Sequence, residues 1–135
     1  MSKKDEVLKT LEDYFAAWDR GDIEAGTSYF AENLVVHMGG GSKLSGEYHG
    51  REDFVKNWVN RVEAYTDAWT QHGTDLLMAG DDGVALMVHE QWTRGDRRVM
   101  CKRLGIYRIV AGKMPECWFT DVNAAEVDTF FDEID

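Results

Sequence analysis

The chain has 135 residues and a formal net charge of −10, with 44% hydrophobic and 30% charged residues. That length and mixture suit one soluble core, and 5 Trp, 5 Tyr and 6 Phe exclude a disordered chain. No apolar run is long enough to span a bilayer, and the acidity excludes nucleic acid and anionic membrane as partners, because phosphates attract a positive field.

Met1-Ser2-Lys3-Lys4-Asp5-Glu6 leads into an amphipathic pattern rather than a signal-peptide core, so a cytoplasmic protein is expected. Cys101 and Cys117 are too few for a disulfide framework and read as reduced core thiols.

The apolar spacing of Val7, Leu8, Leu11, Tyr14, Phe15 and Trp18 predicts a helix over residues 3–20, with Ser2 as N-cap and Gly21 as the stop. Asp22 reads as a second N-cap, opening a short helix with Ile23, Gly26, Tyr29 and Phe30 on its narrow apolar face. Residues 34–38 form a short strand signal that runs into the flexible loop Gly39-Gly40-Gly41-Ser42, and residues 44–49 suggest another strand. A third helix is expected over roughly 51–65, with Phe54, Val55, Trp58, Val59 and Val62 on one side.

The period then changes. Trp69–Ala79, Val84–Thr93, Arg97–Val110 and Met114–Val122 read as four strands, and the Gly- and Asp-bearing turns between them favour antiparallel hairpins. Asn123 with Glu126 suggests a capping box for a C-terminal helix bearing Val127, Phe130, Phe131 and Ile134. Helices gathered on one face of an antiparallel sheet give an α+β fold. No repeat or linker divides the chain, so residues 1–135 read as one domain.

Five stretches in this order resemble the NTF2-like superfamily, which includes ketosteroid isomerases and SnoaL-type polyketide cyclases. They are Tyr14-Phe15-Ala16-Ala17-Trp18-Asp19-Arg20-Gly21-Asp22, Tyr29-Phe30-Ala31-Glu32-Asn33, Gly46-Glu47-Tyr48-His49-Gly50-Arg51-Glu52, Ile106-Tyr107-Arg108-Ile109-Val110-Ala111-Gly112-Lys113 and Trp118-Phe119-Thr120-Asp121-Val122-Asn123. The resemblance implies a cone-shaped barrel in which a curved antiparallel sheet wraps around the N-terminal helices. It also implies a mostly apolar pocket with a few convergent polar groups. The family contains many chemistries, so the resemblance does not name one.

Tyr14 matches the isomerase tyrosine that donates to a substrate carbonyl, and Trp18 lies one turn further on. The isomerase base and second donor have no counterpart: Met38 and Gly105 stand at those positions. The resemblance to ketosteroid isomerases is therefore one of fold and not of chemistry. SnoaL-type cyclases carry an aspartate in the last strand, which points to Asp121, and a carboxyl against an apolar wall is a usable acid or base. His37 is a further candidate, since imidazole exchanges protons near neutral pH, but regular alternation would put His37 and Met38 on opposite faces. Val99, Cys101, Arg103, Gly105 and Tyr107 share a face. If it points inward, Cys101 and Arg103 border a ligand and Arg103 can hold an anionic or carbonyl oxygen; if outward, Arg103 is a solvated charge. Either His89 or Glu90 should enter the cavity. Phe30, Met38, Trp58 and Phe119 match pocket-lining positions.

His89-Glu90 lacks the second histidine of a zincin helix, the glycine run has the wrong order for a P-loop, and no metal-ligand spacing occurs. No cofactor or metal is implied. The expectation is cofactor-independent proton transfer (isomerisation, cyclisation or dehydration) on a small apolar carbonyl compound, with Asp121, His37 and Tyr14 as catalytic candidates. The alternative is a non-catalytic ligand-binding or oligomerising module. A homodimer is expected, because Val84–Thr93 and Arg97–Val110 are apolar on both faces.

Overall fold

A computed structural model describes residues 1–135. Helix α1 (Lys3–Asp19) opens with a reciprocal cap: Ser2 Oγ accepts from Asp5 N at 3.1 Å, and Asp5 Oδ2 accepts from Ser2 N at 3.3 Å. It buries Val7, Leu11, Tyr14 and Ala17, and Gly21 ends it at φ +74°, a conformation glycine adopts without strain. Asp22 Oδ1 caps α2 (Ile23–Thr27) by accepting from Ala25 N at 3.0 Å.

Strand β1 (Phe30–Met38) starts four residues before the apolar run at 34–38. Phe30 is buried and pairs with Met114, and the register shifts before Val35, which leaves polar Glu32 and Asn33 exposed in the irregular stretch. Strand β2 (Gly46–His49) is shorter than 44–49. Helix α3 spans residues 51–65 as expected, but its middle turn, Val55–Val59, is a π-turn between the α-helical segments Arg51–Phe54 and Asn60–Tyr65. Trp58 stands on this turn, a kind of irregularity common at functional sites.

Strands β3 (Ala68–Gly80), β4 (Gly83–Arg94), β5 (Arg97–Arg108) and β6 (Met114–Asp121) form the meander, followed by α4 (Ala124–Phe130). The sheet order is β2-β1-β6-β5-β4-β3 and the sheet does not close. Four of the joints are antiparallel, but β1 and β6 run parallel, so the wholly antiparallel sheet expected from the hairpin signals is corrected at this joint. The residues between β1 and β6 provide the crossover that parallel pairing requires.

The expected capping box at Asn123 is also replaced. Its Oδ1 accepts from Lys102 N, while its Nδ2 donates to Met100 O and Glu126 Oε2. The side chain therefore ties α4 to β5 instead of capping a helix N–H. Val127, Phe130, Phe131 and Ile134 are buried against the open end of the barrel.

Candidate functional site

The inner face of the sheet and helices α1 and α3 border two small voids. The first, about 30 Å³, lies between Tyr14, Trp18, Phe30, Trp58, Trp69, Glu90, Arg103 and Phe119, among others. The second, about 20 Å³, lies between Met38, Trp58, Trp92, Arg103, Asp121 and Phe131, under α4 and the 39–45 loop. Each has room for one or two waters, far below the ~300 Å³ at which drug-sized pockets begin. Trp58 and Arg103 belong to both linings, so these two side chains separate the voids.

Arg103 faces inward, and alternation along β4 sends Glu90 in and His89 out. Glu90 is fully engaged. Its Oε1 accepts from Arg103 Nη1 at 2.5 Å, and its Oε2 accepts from Trp69 Nε1 and from Gln71 Nε2 at 2.9 Å. On the other side, Arg103 Nε lies 3.6 Å from Asp121 Oδ1, which also accepts from Cys101 Sγ at 2.9 Å. Both contacts use Oδ1, which leaves Oδ2 as the oxygen open to a ligand. The guanidinium carbon sits 5.3, 5.5 and 5.6 Å from the ring centroids of Trp58, Trp92 and Phe119, a cation–π box.

Burial opposes the charge on Arg103, but Glu90, Cys101 and Asp121 outweigh it and hold its pKa above the ordinary arginine value. The cluster thus carries a permanent cation between two carboxylates. Trp18 Nε1, Trp92 Nε1 and Arg103 Nε are buried donors without a hydrogen-bond partner. Each belongs to a residue lining one of the voids, and Trp18 Nε1 packs against Gly26, where an added Cβ would stand 2.8 Å from it.

Tyr14 is buried, with the rings of Phe15, Trp18, Tyr29, Phe30 and Tyr107 edge-on around it at centroid separations of 4.9–6.1 Å. Burial, reinforced by Cys117 and Glu90, pushes its phenol pKa up, so the hydroxyl keeps its proton and serves as a donor. Burial likewise raises the Cys101 thiol, which therefore stays protonated as it donates to Asp121. Gly105 of β5 lies opposite Phe119 of β6. A Cβ there would stand 2.8 Å from Tyr107 Cε2 and 3.3 Å from Phe119 Cε1, so two rings fill that space.

The structure thus brings Tyr14, Trp18, Phe30, Trp58, Arg103 and Phe119 around the first void, and Met38 and Asp121 to the second, with Cys101 bridging Arg103 and Asp121. His37 is elsewhere, and its reading as a cavity group is corrected. It lies on the outer face, stacked on Trp118 (5.3 Å, 12°), with Nε2 2.8 Å from Glu116 Oε2. Parity on β1 explains this: Leu34 and Val36 point in, so His37 points out. His89 is outside too, 2.9 Å from Asp75 Oδ2.

Trp69 and Gln71 were not singled out by sequence, and Glu90 was named only as the alternative to His89. Glu90 shares parity with Val84, Leu86, Val88 and Trp92, and that signal would have placed it inside. Trp69 and Gln71 carried no comparable mark, because most of β3 is exposed. No group of three or more His, Cys, Asp or Glu side chains is placed to hold a metal ion. No helix is long and apolar enough to cross a membrane.

An unclosed, strongly bent sheet around N-terminal helices, with its polar groups gathered inside, defines an NTF2-like α+β protein. The SnoaL-like domain matches over residues 11–116, and the chain belongs to that family. Solved structures agree on the fold. Bal32a, from a soil-derived mobile gene cassette, is 22% identical with a TM-score of 0.82, covering 96% of this chain and 99% of its own. An NTF2-like protein of Burkholderia thailandensis is 24% identical with a TM-score of 0.77, covering 90% and 94%. IdmH of Streptomyces antibioticus, provisionally described as a polyketide cyclase, is 20% identical with a TM-score of 0.68, covering 88% and 96%. A search of the curated proteins finds no match.

Proposed function

We propose that this chain catalyses cofactor-independent proton transfer (isomerisation, cyclisation or dehydration) on a small apolar carbonyl compound. The observation that carries the reading is Arg103, a buried cation held between Glu90 and Asp121 at the wall shared by two voids. Membership of the SnoaL-like family supports it, as does the fold shared with the Streptomyces protein.

The division of labour follows from the hydrogen bonds. Glu90 is saturated by three donors, so it orients Arg103 and does not exchange protons. Asp121 has an open oxygen and moves the proton, while Cys101 fixes the orientation of its carboxylate. Tyr14 and Arg103 receive the substrate oxygen, where charge develops as the adjacent carbon loses its proton. Phe30, Trp18, Trp58 and Phe119 hold the apolar frame, and Met38 flanks the Asp121 end. A ligand larger than a few atoms enters by displacing Trp58, which joins the two voids. The cytoplasm is the compartment that the free, buried Cys101 and Cys117 suit.

The test is deuterium exchange. The purified chain is incubated in D2O with a panel of small ketones and enones, and loss of the proton next to the carbonyl is followed by NMR. The expected result is exchange above the buffer rate that drops about 100-fold or more in Asp121→Asn, on the scale of general base catalysis, with the fold intact by circular dichroism. Equal exchange in both proteins would sink the reading.

A further inference from the structure

We propose that Tyr107 is a second catalytic donor: its hydroxyl bonds the same substrate oxygen as that of Tyr14, and the bare Gly105 beside it lets it reach there. This role rests on the proton-transfer reading above and adds a residue to it. Cys101, Arg103, Gly105 and Tyr107 alternate onto the inner face of β5, and all four are buried. Consecutive members of this row stand roughly 6.6 Å apart, at ~3.3 Å per residue. Because position 105 has no side chain, a gap separates Arg103 from Tyr107.

The ring of Tyr107 fills that gap. A Cβ built on Gly105 would stand 2.8 Å from Tyr107 Cε2, so the ring leans back along β5 into the space a side chain at 105 would occupy. Cε2 is bonded to Cζ, which bears the hydroxyl, so the lean carries the oxygen over Gly105 in the direction of Arg103. Phe119, opposite Gly105 on β6, meets the Tyr107 ring edge-on at 5.3 Å and holds it from the side. Tyr14 comes from α1, with its ring 5.7 Å from that of Tyr107 and inclined at 63°. Tyr14, Arg103 and Tyr107 all line the first void. Two phenols, one from a helix and one from the sheet, thus meet beside one cation.

The arginine leaves a place for a second donor. Its Nη1 donates to Glu90 Oε1, its Nη2 donates to Cys101 Sγ at 3.7 Å, and its Nε lies 3.6 Å from Asp121 Oδ1. Its charge acts on the substrate oxygen while most of its N–H groups are directed elsewhere. In the reaction the proton on the carbon goes to Asp121 Oδ2, and the electron pair it leaves moves onto the carbonyl oxygen. That oxygen has two lone pairs, and both become stronger acceptors as it gains charge. Tyr14 takes one, and Tyr107 is placed to take the other. Burial, with Tyr14 and Cys117 adding to it, holds the Tyr107 phenol well above the ordinary tyrosine value, so it keeps its proton. No hydrogen bond is among the influences on it, which leaves that proton to a ligand.

The probe is 4-nitrophenol, whose phenolate oxygen stands in for the charged oxygen of the reacting substrate. It is titrated by visible absorbance into the whole chain carrying Asp121→Asn, which copies the uncharged state of Asp121 after it has taken the proton. At a pH where the free probe is mostly un-ionised, this protein should bind it as the coloured phenolate. Adding Tyr107→Phe should weaken that binding by about tenfold or more, on the scale of one hydrogen bond to a charged group. 4-Nitrotoluene has the same shape without the oxygen, and should bind both proteins equally. In the deuterium-exchange assay, Tyr107→Phe alone should lower kcat about 100-fold with KM little changed, as loss of a donor to the transition state does. Its circular dichroism should match the wild type, because the ring over Gly105 remains. The role of Tyr107 is overturned by phenolate affinity that does not depend on its hydroxyl, or by equal losses for 4-nitrophenol and 4-nitrotoluene. It is equally overturned if Asp121→Asn binds no phenolate, or if Tyr107→Phe leaves the exchange rate unchanged. Absence of exchange in the wild type, with the phenolate results as expected, would sink the proton-transfer reading and keep Tyr107 as a donor to a bound oxygen.

Discussion

Arg103 and Glu90 meet on the inner face of the β4–β5 hairpin, where Arg103 Nη1 donates to Glu90 Oε1 at 2.5 Å, with both side chains almost wholly removed from water. The pairing is diagonal: Arg103 is in register with Val88 and Glu90 with Cys101, so the long arginine reaches across one pleat to its partner. This reach puts the guanidinium among Trp58, Trp92 and Phe119, leaving Nε toward Asp121.

Removing one partner leaves the other as an uncompensated buried charge. Arg103→Met is expected to destabilise the chain by about 3–5 kcal/mol, as is usual when one half of a buried pair is deleted. A combined Arg103→Met/Glu90→Gln variant should recover part of that loss, because Glu90 is no longer an isolated charge and only Asp121 still lacks its cation. Urea midpoints of the wild type, Arg103→Met, Glu90→Gln and the double variant check this. If the double variant is as unstable as the sum of the singles, the pair is not coupled as its geometry requires.

Much of this arrangement was legible in the sequence, and the reasons differ by element. The helices around Leu11 and Trp58 and the meander from Trp69 onward follow from period alone, since 3.6 and 2.0 give different apolar patterns. Asp121, Tyr14 and the aromatic walls came from the resemblance, while Arg103 came from alternation along its strand, which left inward and outward open; the fold turns it inward. The parallel joint of β1 with β6 was not legible: Val36 and Cys117 lie far apart in sequence, and pairing direction over such a distance leaves no local mark. His37 stood open in the sequence, since alternation only sets it opposite Met38; its outward side follows once Leu34 and Val36 are seen to point inward. The near-absence of free space was also hidden. Whether Trp18, Trp58, Trp69 and Trp92 line a cavity or fill it depends on rotamers that composition does not fix.

Four buried acids should make the protein sensitive to alkali. Burial raises the pKa values of Tyr14, Tyr107, Cys101 and Cys117 above those of the unfolded chain, about 10 for tyrosine and about 8.5 for cysteine. Their neutral forms are favoured by folding, so this stability is fully present below those unfolded values. Above them the unfolded chain binds fewer protons than the native one, and stability falls as pH rises, by up to about 1.4 kcal/mol per pH unit for each group. Urea midpoints should therefore decline from about pH 9 upward, while absorbance at 295 nm shows two tyrosines ionising only on unfolding. A flat profile to about pH 11 would contradict the burial of these groups.

Gly105 keeps room for two rings rather than for a turn. Gly105→Ala places a methyl 2.8 Å from Tyr107 Cε2 and 3.3 Å from Phe119 Cε1, both in the wall of the first void. Overpacking of this kind costs about 1–3 kcal/mol, read as a lowered thermal midpoint. Gly105→Asp is expected to be worse still, because a larger side chain meets the same two rings and carries a charge into a space without water. A Gly105→Ala protein as stable as wild type would mean that the rings yield freely.

Trp58 is the side chain through which the two voids become one. It stacks on Phe54 (5.3 Å, 8°), meets Trp69 edge-on at 5.7 Å and lies under the Arg103 guanidinium, all from the π-turn of α3. Truncation to alanine removes the shared wall, and Trp58→Ala should cost about 3–5 kcal/mol, as large aromatic deletions do. The enlarged space is apolar on most sides, and an engineered apolar cavity of about 150 Å³ takes up benzene. Indole should accordingly raise the melting temperature of Trp58→Ala while leaving the wild type unmoved. If indole shifts both proteins equally, it binds on the surface and the voids do not merge. If it shifts neither, the surrounding rings have collapsed into the space and Trp58 is not what keeps the chambers apart.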